Sequence, residues 1–556
     1  MSSIIFVLSW LLPNHYPPWV NFHSEFLAFA GIFLLLGGLI IKRLLIIKIP
    51  RITLFLCLLA AIPWVQLAYG VLFFAGDAFI SSFYIFGFLF SIVAGYSCTK
   101  KQGGDSVDIW LLPAIMLFSA AFLSALIGWM QWLGLPDSYT TYAMQTEPGE
   151  RIIANLGQPN QLATLLLMGI IGLIFIRDRR LTGRTGFFLG LVTLTWALVL
   201  CESRTALLSA VIVTVYLTGK RVQKKAESTA YQYSKKFIWV WLAGFCFATY
   251  ALPFVNSLLL LEAGRAIEFA DNNGRVEIWL QTLAAADASP WIGYGWNQTP
   301  VAQATGALVY PGGLAYSNAH NLLLDLVVWV GIPLGLVIFG VIVYWAGSRA
   351  LAIQKPQSVY AMAMLLPFFV HSLLEFPFSY AYFLLVAGLL VGIVESGYLH
   401  TQSLTISKKS TSCILSLFVL LGGFIGYEYL LIEEDYRYAR FENLRVGSTP
   451  AEYQRPNIYV STQLAALLRV LRQQAVPGMS AEQIHLLQKV SMRSGMRPLV
   501  FRYAVALGLN GDPAGATKQM RLVKSMFGDT YYSVAKTEMT RLATDEYPQL
   551  GAVALP

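Results

Sequence analysis

The chain has 556 residues, of which 56% are hydrophobic and 12% charged, and its mean hydropathy is +0.59. Soluble globular chains carry about 25% charged residues, so the composition excludes a chain that is soluble throughout and implies several transmembrane helices. The net charge of +9 does not mark a nucleic-acid-binding chain, because the basic residues gather in short stretches between apolar runs.

Cys57, Cys98, Cys201, Cys246 and Cys413 lie within or beside apolar segments without C-x-x-C spacing, which argues against a zinc site or a disulfide framework. The N-terminus lacks a basic n-region and a small-residue cleavage site and reads as a first span rather than a cleaved signal.

A spanning helix needs about 20 apolar residues. Spans are expected near 3–13, 25–41, 52–73, 78–97, 109–133, 161–176, 185–200, 205–219, 237–256, 320–346, 359–372, 378–396 and 412–430. The first is short enough to be re-entrant, and 185–219 could be one broken segment. The fold class is therefore all-α, a polytopic membrane protein with about 11–13 transmembrane helices.

Lys and Arg set the orientation. One set of loops holds 20 of them: Lys42, Arg43, Lys48 and Arg51, then Lys100 and Lys101, then Arg177, Arg179, Arg180 and Arg184, then Lys220, Arg221, Lys224, Lys225, Lys235 and Lys236, then Arg349 and Lys355, then Lys408 and Lys409. The alternate loops hold Arg151, Arg204, Arg265 and Arg275. The N-terminus is expected in the cytoplasm, with the 257–319 loop and the tail from about 431 outside. The four basic residues of the outer loops are all arginines, whose planar fork suits phosphate oxygens.

The tail begins with Glu433-Glu434-Asp435-Tyr436-Arg437. Helical periodicity follows in Leu464, Leu467, Leu468 and Leu471, then in Ile484, Leu487 and Val490, with Pro477-Gly478 as the break. Residues 502–513 read as helix, turn and a new helix, a tetratricopeptide-style hairpin. The expected division is 1–256 N-terminal transmembrane bundle, 257–319 large periplasmic loop, 320–430 C-terminal transmembrane helices and 431–556 periplasmic helical domain.

Five stretches can carry chemistry. Gly157-Gln158-Pro159-Asn160-Gln161 opens the sixth span and offers amides to sugar hydroxyls or phosphate, or caps the helix. Arg204 sits in the tight turn Cys201-Glu202-Ser203-Arg204-Thr205, and Arg275 follows the turn Asn272-Asn273-Gly274. A cation beside the apolar core is costly unless an anion meets it. The two arginines either clamp a lipid-linked pyrophosphate or pair with Glu202 and Glu277. His320, in Ser317-Asn318-Ala319-His320-Asn321, is expected in the first turn of a helix capped by Asn318 or Ser317, where the dipole favours neutral imidazole. It is either a base or a capping histidine. His371 and Glu375 are four apart, share a helix face where the helix extends to Glu375, and either pair with each other or line a cavity with Tyr380 and Tyr382. No Walker motif, Rossmann fingerprint, H-E-x-x-H or D-x-D is present, which favours a donor carried on lipid over a cytosolic nucleotide sugar.

Four stretches resemble the O-antigen ligase and polymerase-like superfamily: Pro13-Asn14-His15-Tyr16-Pro17-Pro18-Trp19 with the following Phe22-His23-Ser24-Glu25, then Asn155–Gln161, then the run from Gly274-Arg275 through Trp279 to Pro290–Trp296, and last Ser317–Asn321 with His371–Tyr382 after it. The first two and the His371–Tyr382 stretch resemble its bacterial protein O-oligosaccharyltransferases, the pilin glycosylation ligases. The resemblance covers about residues 1–400.

The resemblance implies transfer of a preassembled oligosaccharide from undecaprenyl pyrophosphate to Ser or Thr hydroxyls of exported proteins such as type IV pilin. The reaction would run at the periplasmic face of the inner membrane, without metal or nucleotide cofactor. It assigns His320 to the acceptor hydroxyl and Arg204 and Arg275 to the pyrophosphate. Gln158, Gln161, Asn321, His371, Glu375, Tyr380 and Tyr382 become secondary cavity residues. An O-antigen ligase acting on lipid A core, an O-antigen polymerase and a lipid-linked sugar transporter are the alternatives. The absence of an evident internal repeat ranks catalysis above transport.

Overall fold

Each of the thirteen expected spans is helical in the computed structural model, which describes residues 1–42, 46–99, 109–135, 142–220, 235–261, 274–444 and 446–556. Arg43, Lys100, Lys101, Arg221, Lys224, Lys225, Arg265 and the turn residues Asn272 and Asn273 lie outside the described residues.

In chain order the helices are α1 (Ser2–Leu11), α2 (Phe22–Lys42), α3 (Ile52–Ala68), α4 (Ala75–Cys98), α5 (Leu112–Trp132), α6 (Pro159–Asp178), α7 (Arg184–Leu200), α8 (Arg204–Gly219), α9 (Lys235–Leu258), α10 (Arg275–Ala288), α11 (Thr299–Gly306), α12 (Leu322–Val330), α13 (Ile332–Ala352), α14 (Pro356–Ser372), α15 (Ala381–Gly397), α16 (Lys408–Leu444), α17 (Thr462–Arg472), α18 (Ala481–Ser494), α19 (Arg497–Leu509) and α20 (Pro513–Asp545). Among the described residues, α2, α4, α5, α6, α9, α13 and α16 are long and apolar enough to cross a membrane, and α1, α3, α7, α8 and α15 are shorter apolar helices. One antiparallel pair, β1 (Ile46–Pro50) with β2 (Ser403–Ser407), was not expected from the sequence.

The described residues form two compact units: Met1–Cys57, Tyr84–Ala270 and Val343–Gly423 in the first, and Leu58–Phe83, Asp271–Ile342 and Phe424–Pro556 in the second.

In the first unit α6 is the central helix. Its apolar stretch is 89% buried, against 22% for α9, so α6 meets protein on all sides and α9 turns most of its surface outward. Small residues permit close helix approach. A Cβ on Gly95 of α4 would lie 2.0 Å from the Leu389 carbonyl oxygen, and one on Gly392 of α15 would lie 2.1 Å from that of Ile92. Basic groups close the opposite end from the polar cluster described below. Lys220 donates to the carbonyls of Ala350 and Leu351, Lys408 to that of Ile41, and Arg349 to the Glu395 carboxylate at 2.6 Å.

In the second unit the expected span 320–346 is not continuous. Gly331 adopts φ +85°, and the spanning helix α13 restarts at Ile332 with Pro333 in its first turn. The turn before α11 fills the break. Tyr294 and Gly295 donate backbone N–H groups to the carbonyls of Val328 and Trp329, and Ile332 donates to that of Pro290. A Cβ at 331 would lie 2.3 Å from the Trp291 carbonyl oxygen. Both the left-handed backbone and this close approach therefore require glycine.

The tail helices fall where the periodicity places them. Charged residues Glu433–Arg437 continue α16 rather than starting a new element, because no glycine or proline stands between Gly426 and Leu444 to interrupt the ladder. The buried Glu428 carboxylate accepts the N–H groups of Tyr459, Val460 and Ser461 at 2.5, 2.9 and 2.8 Å, which fixes the entry to α17. Arg493 of α18 pairs with the buried Asp77 at the start of α4.

Candidate active site

Candidate residues collect in two groups, one in each unit. In the first unit they stand where α2, α6, α8 and α15 begin and α14 ends. Gln158 is the N-cap of α6, its side chain accepting from the Gln161 N–H at 3.2 Å. Gln161 accepts in turn from the Tyr382 hydroxyl at 3.1 Å, and the rings of Tyr380 and Tyr382 stack at 5.4 Å.

Helix α14 ends at Ser372, so Glu375 does not continue the face that carries His371. The condition for a shared helical face, a helix reaching Glu375, is not met: the chain turns at Leu373–Leu374. His371 Nδ1 lies 2.9 Å from the Thr164 hydroxyl, and Glu375 accepts from the Asn160 amide at 3.4 Å. Asn160 also accepts from Ser203 at 2.7 Å, and Ser203 caps α8 directly before Arg204. Beside it, burial raises the Glu202 carboxyl to about 7 against the opposing pull of Arg151.

Sequence reasoning missed two members of this cluster as site residues. Glu25, 4% exposed, accepts from Tyr84 at 2.5 Å, Trp19 at 2.8 Å and the Ala381 N–H at 3.3 Å. A carboxylate inside an apolar span was the available signal for Glu25; Tyr84 carried none. Asn155 and Gln131 fix the loop leading into Gly157. Asn155 bonds the backbone of Leu11, Tyr142 and Met144, and Gln131 bonds that of Met144, Ile153 and Ala154.

In the second unit the organising residue is His320. The expected cap is corrected: Asn321 is the N-cap of α12, its side chain accepting from the N–H groups of Leu323 and Leu324 at 3.0 and 3.3 Å. His320 therefore precedes the cap instead of standing in the first turn. The dipole argument for a first-turn histidine does not transfer to this position. His320 is half-buried and has φ +53°, a left-handed backbone uncommon among non-glycine residues, although Asn, Asp and His adopt it more often than the rest.

Its neighbour Ala319 is held on both sides. The N–H donates to Asp325 Oδ1 at 2.9 Å, and the carbonyl accepts from the Trp279 indole at 3.1 Å. Trp279 lies one turn along α10 from Arg275, so the helix that presents Arg275 is tied to the residue next to His320. Asp325 is fully buried in α12, a nine-residue helix that precedes the spanning α13. Its Oδ1 also accepts from the Thr299 hydroxyl at 2.8 Å.

Thus Arg275, His320 and Asn321 share one unit, and Gln158, Gln161, Arg204, His371, Glu375, Tyr380 and Tyr382 share the other.

Three family models match the chain: an O-antigen ligase model over residues 189–339, the C-terminal part of a virulence factor membrane-bound polymerase over 359–541, and a protein glycosylation ligase over 152–175. The chain is 28% identical to a general O-oligosaccharyltransferase of Acinetobacter baylyi over 544 residues, 96% of this chain and 92% of the relative. It is also 28% identical to a ComP-specific O-oligosaccharyltransferase of the same organism over 411 residues, 73% of this chain and 71% of the relative.

Proposed function

We propose, from its membership of the O-oligosaccharyltransferases of the O-antigen ligase superfamily, that this multi-pass membrane protein transfers a preassembled oligosaccharide as a block onto protein. The donor is undecaprenyl-pyrophosphate-linked glycan, and the acceptor is a Ser or Thr hydroxyl of an exported protein such as type IV pilin. The site faces the periplasm from the bacterial inner membrane, with the N-terminus in the cytoplasm. Residues 257–319 form a large periplasmic loop and 431–556 a periplasmic helical domain. The Lys and Arg alternation supports that orientation, as does the collection of Lys220, Arg349 and Lys408 at the end of the first unit away from Gln158 and Tyr382.

In the reaction the acceptor oxygen attacks the anomeric carbon, its proton passes to His320, and the bond from that carbon to the pyrophosphate oxygen breaks. Arg275 and Arg204 each balance charge on the departing undecaprenyl pyrophosphate. Gln158, Gln161, Asn321, His371, Glu375, Tyr380 and Tyr382 contact the glycan or hold those that do. The step needs no metal. Attack opposite the phosphate inverts the anomeric centre, in keeping with one candidate base and no second catalytic carboxylate.

The observation that carries this reading is the match over 96% of the chain to a general O-oligosaccharyltransferase. The polymerase match over 359–541 keeps glycan extension as the second reading. Mass spectrometry of a pilin acceptor, with a lipopolysaccharide gel, compares cells with and without the gene. Glycan on pilin that depends on the gene and survives EDTA in a membrane assay supports the proposal. A change confined to lipopolysaccharide overturns it, and retention of the donor's anomeric configuration overturns inversion.

A further inference from the structure

His320 occupies a left-handed backbone conformation that L-residues mostly avoid, because it brings Cβ too close to the following carbonyl oxygen. Such a residue persists where its surroundings over-determine it. Here they do so from both sides. Asn321 is pinned by its two capping bonds, and Ala319 by its N–H and its carbonyl. Three of those four bonds use groups at the surface of α10 or within the cap itself. The fourth, from Ala319 to Asp325, runs into a dry interior: Ala319 and Asp325 are both 0% exposed.

Asp325 is itself aimed. Its Oδ1 accepts from the Thr299 hydroxyl at 2.8 Å, and that same hydroxyl accepts from the Trp329 indole at 2.8 Å. Asp325 and Trp329 are one turn apart on α12, and Thr299 is the first residue of α11. The Trp329 carbonyl accepts from Gln66 at 2.7 Å, and Gln66 also receives the Trp296 N–H at 2.8 Å. Asn318, one residue before Ala319, reaches the same carboxylate with its side chain.

We propose that Asp325 is a positioning residue for His320: through Ala319 and Asn318 it holds the strained backbone that presents the imidazole, and Thr299 and Trp329 hold Asp325. This rests on the role given to His320 above. A carboxylate in the run Leu322–Val330 that served packing alone would be replaced by an apolar residue at no loss to transfer. One that aims His320 affects turnover before it affects donor binding.

The test uses the full-length protein in detergent with an undecaprenyl-pyrophosphate-linked oligosaccharide and a serine-containing pilin peptide. For Asp325→Ala, kcat falls at least about 100-fold, the lower bound for a displaced general base, while the donor KM stays within threefold. Asp325→Asn, which keeps an acceptor for the Ala319 N–H, retains more turnover than the alanine variant. Thr299→Val, of similar shape but without the hydroxyl, falls between wild type and Asp325→Ala. A second readout is independent of turnover: the rate at which diethyl pyrocarbonate modifies His320, read by peptide mass spectrometry against the exposed His485. It rises at least threefold in Asp325→Ala. Should that variant not fold, the Asn and Val variants carry the comparison. Modification of His320 at the wild-type rate in every folded variant overturns the proposal whatever the activity. If His320→Ala itself transfers glycan normally, the role of His320 fails, and the modification rates still decide whether Asp325 positions it.

Discussion

The Thr164 hydroxyl stands 2.9 Å from His371 Nδ1 and 3.0 Å from the Asn160 carbonyl, with both side chains buried. A hydroxyl has one proton to give. If it goes to the Asn160 carbonyl, Nδ1 must be the donor to Thr164, which fixes the protonated nitrogen of His371. Thr164→Val then strands a buried donor at a cost of about 1–3 kcal/mol. His371→Asn, which keeps an N–H at a similar reach, should lower the melting temperature less than His371→Leu. Equal losses in the two histidine variants would show that the N–H contributes nothing.

His320→Ala should abolish glycosylation of a co-expressed pilin while the protein still inserts. Arg275→Lys should be far weaker than wild type, because a lysine supplies charge without the fork that grips two phosphate oxygens. Arg204→Lys tests the second cation separately. Intact-mass analysis of the acceptor reads all three, and wild-type glycan occupancy in the Arg275→Lys strain would reduce that residue to a plain charge.

Glu202 gives stability a pH dependence with a definite sign. Its folded value of about 7 lies above the ordinary 4.5, so the folded state holds the proton more tightly than the unfolded chain. That contribution is fully present below pH 4.5 and is lost as pH rises to about 7, where the carboxyl ionises in both states. The melting temperature in detergent should therefore fall between pH 5 and 7.5, and Glu202→Gln should flatten part of that slope. A variant whose slope matches wild type would remove Glu202 as its source.

At the root of the tail, Arg472 grips both Asp435 oxygens at 2.7 and 2.9 Å and Glu442 at 2.5 Å, with Arg472 only 9% exposed. Removing one partner of such a buried group costs roughly 3–5 kcal/mol, because the other charge is left unpaired. Arg472→Ala should expose the α16–α17 connection to limited proteolysis at a dose that leaves wild type intact.

The spans were legible because a run of apolar residues has to be satisfied by its own backbone ladder in lipid, and composition alone reveals it. The tail helices were legible from their periodicity and from Pro477-Gly478. The break at Gly331 was written in Gly331-Ile332-Pro333, but its continuous apolar flanks on both sides masked it. Partners were not legible. Glu25 meets Tyr84 and Ala381, which lie 59 and 356 positions away, and no local pattern encodes such pairings. Asp325 carried a signal that went unused: a carboxylate among Leu324, Leu326 and Val327 demands an explanation. The left-handed backbone at His320 had only a weak one: histidine is enriched at positive φ among non-glycine residues, but that enrichment singles out no particular histidine.

That backbone sets durability against chemistry at one position. Glycine would rest there without the Cβ clash, a relief on the order of 1 kcal/mol, but would delete the imidazole. Directed evolution for heat tolerance alone should therefore enrich His320→Gly and yield sturdier, silent protein, whereas selection on glycosylated product should purge it. The sequence that folds most comfortably around residue 320 is not the one that works.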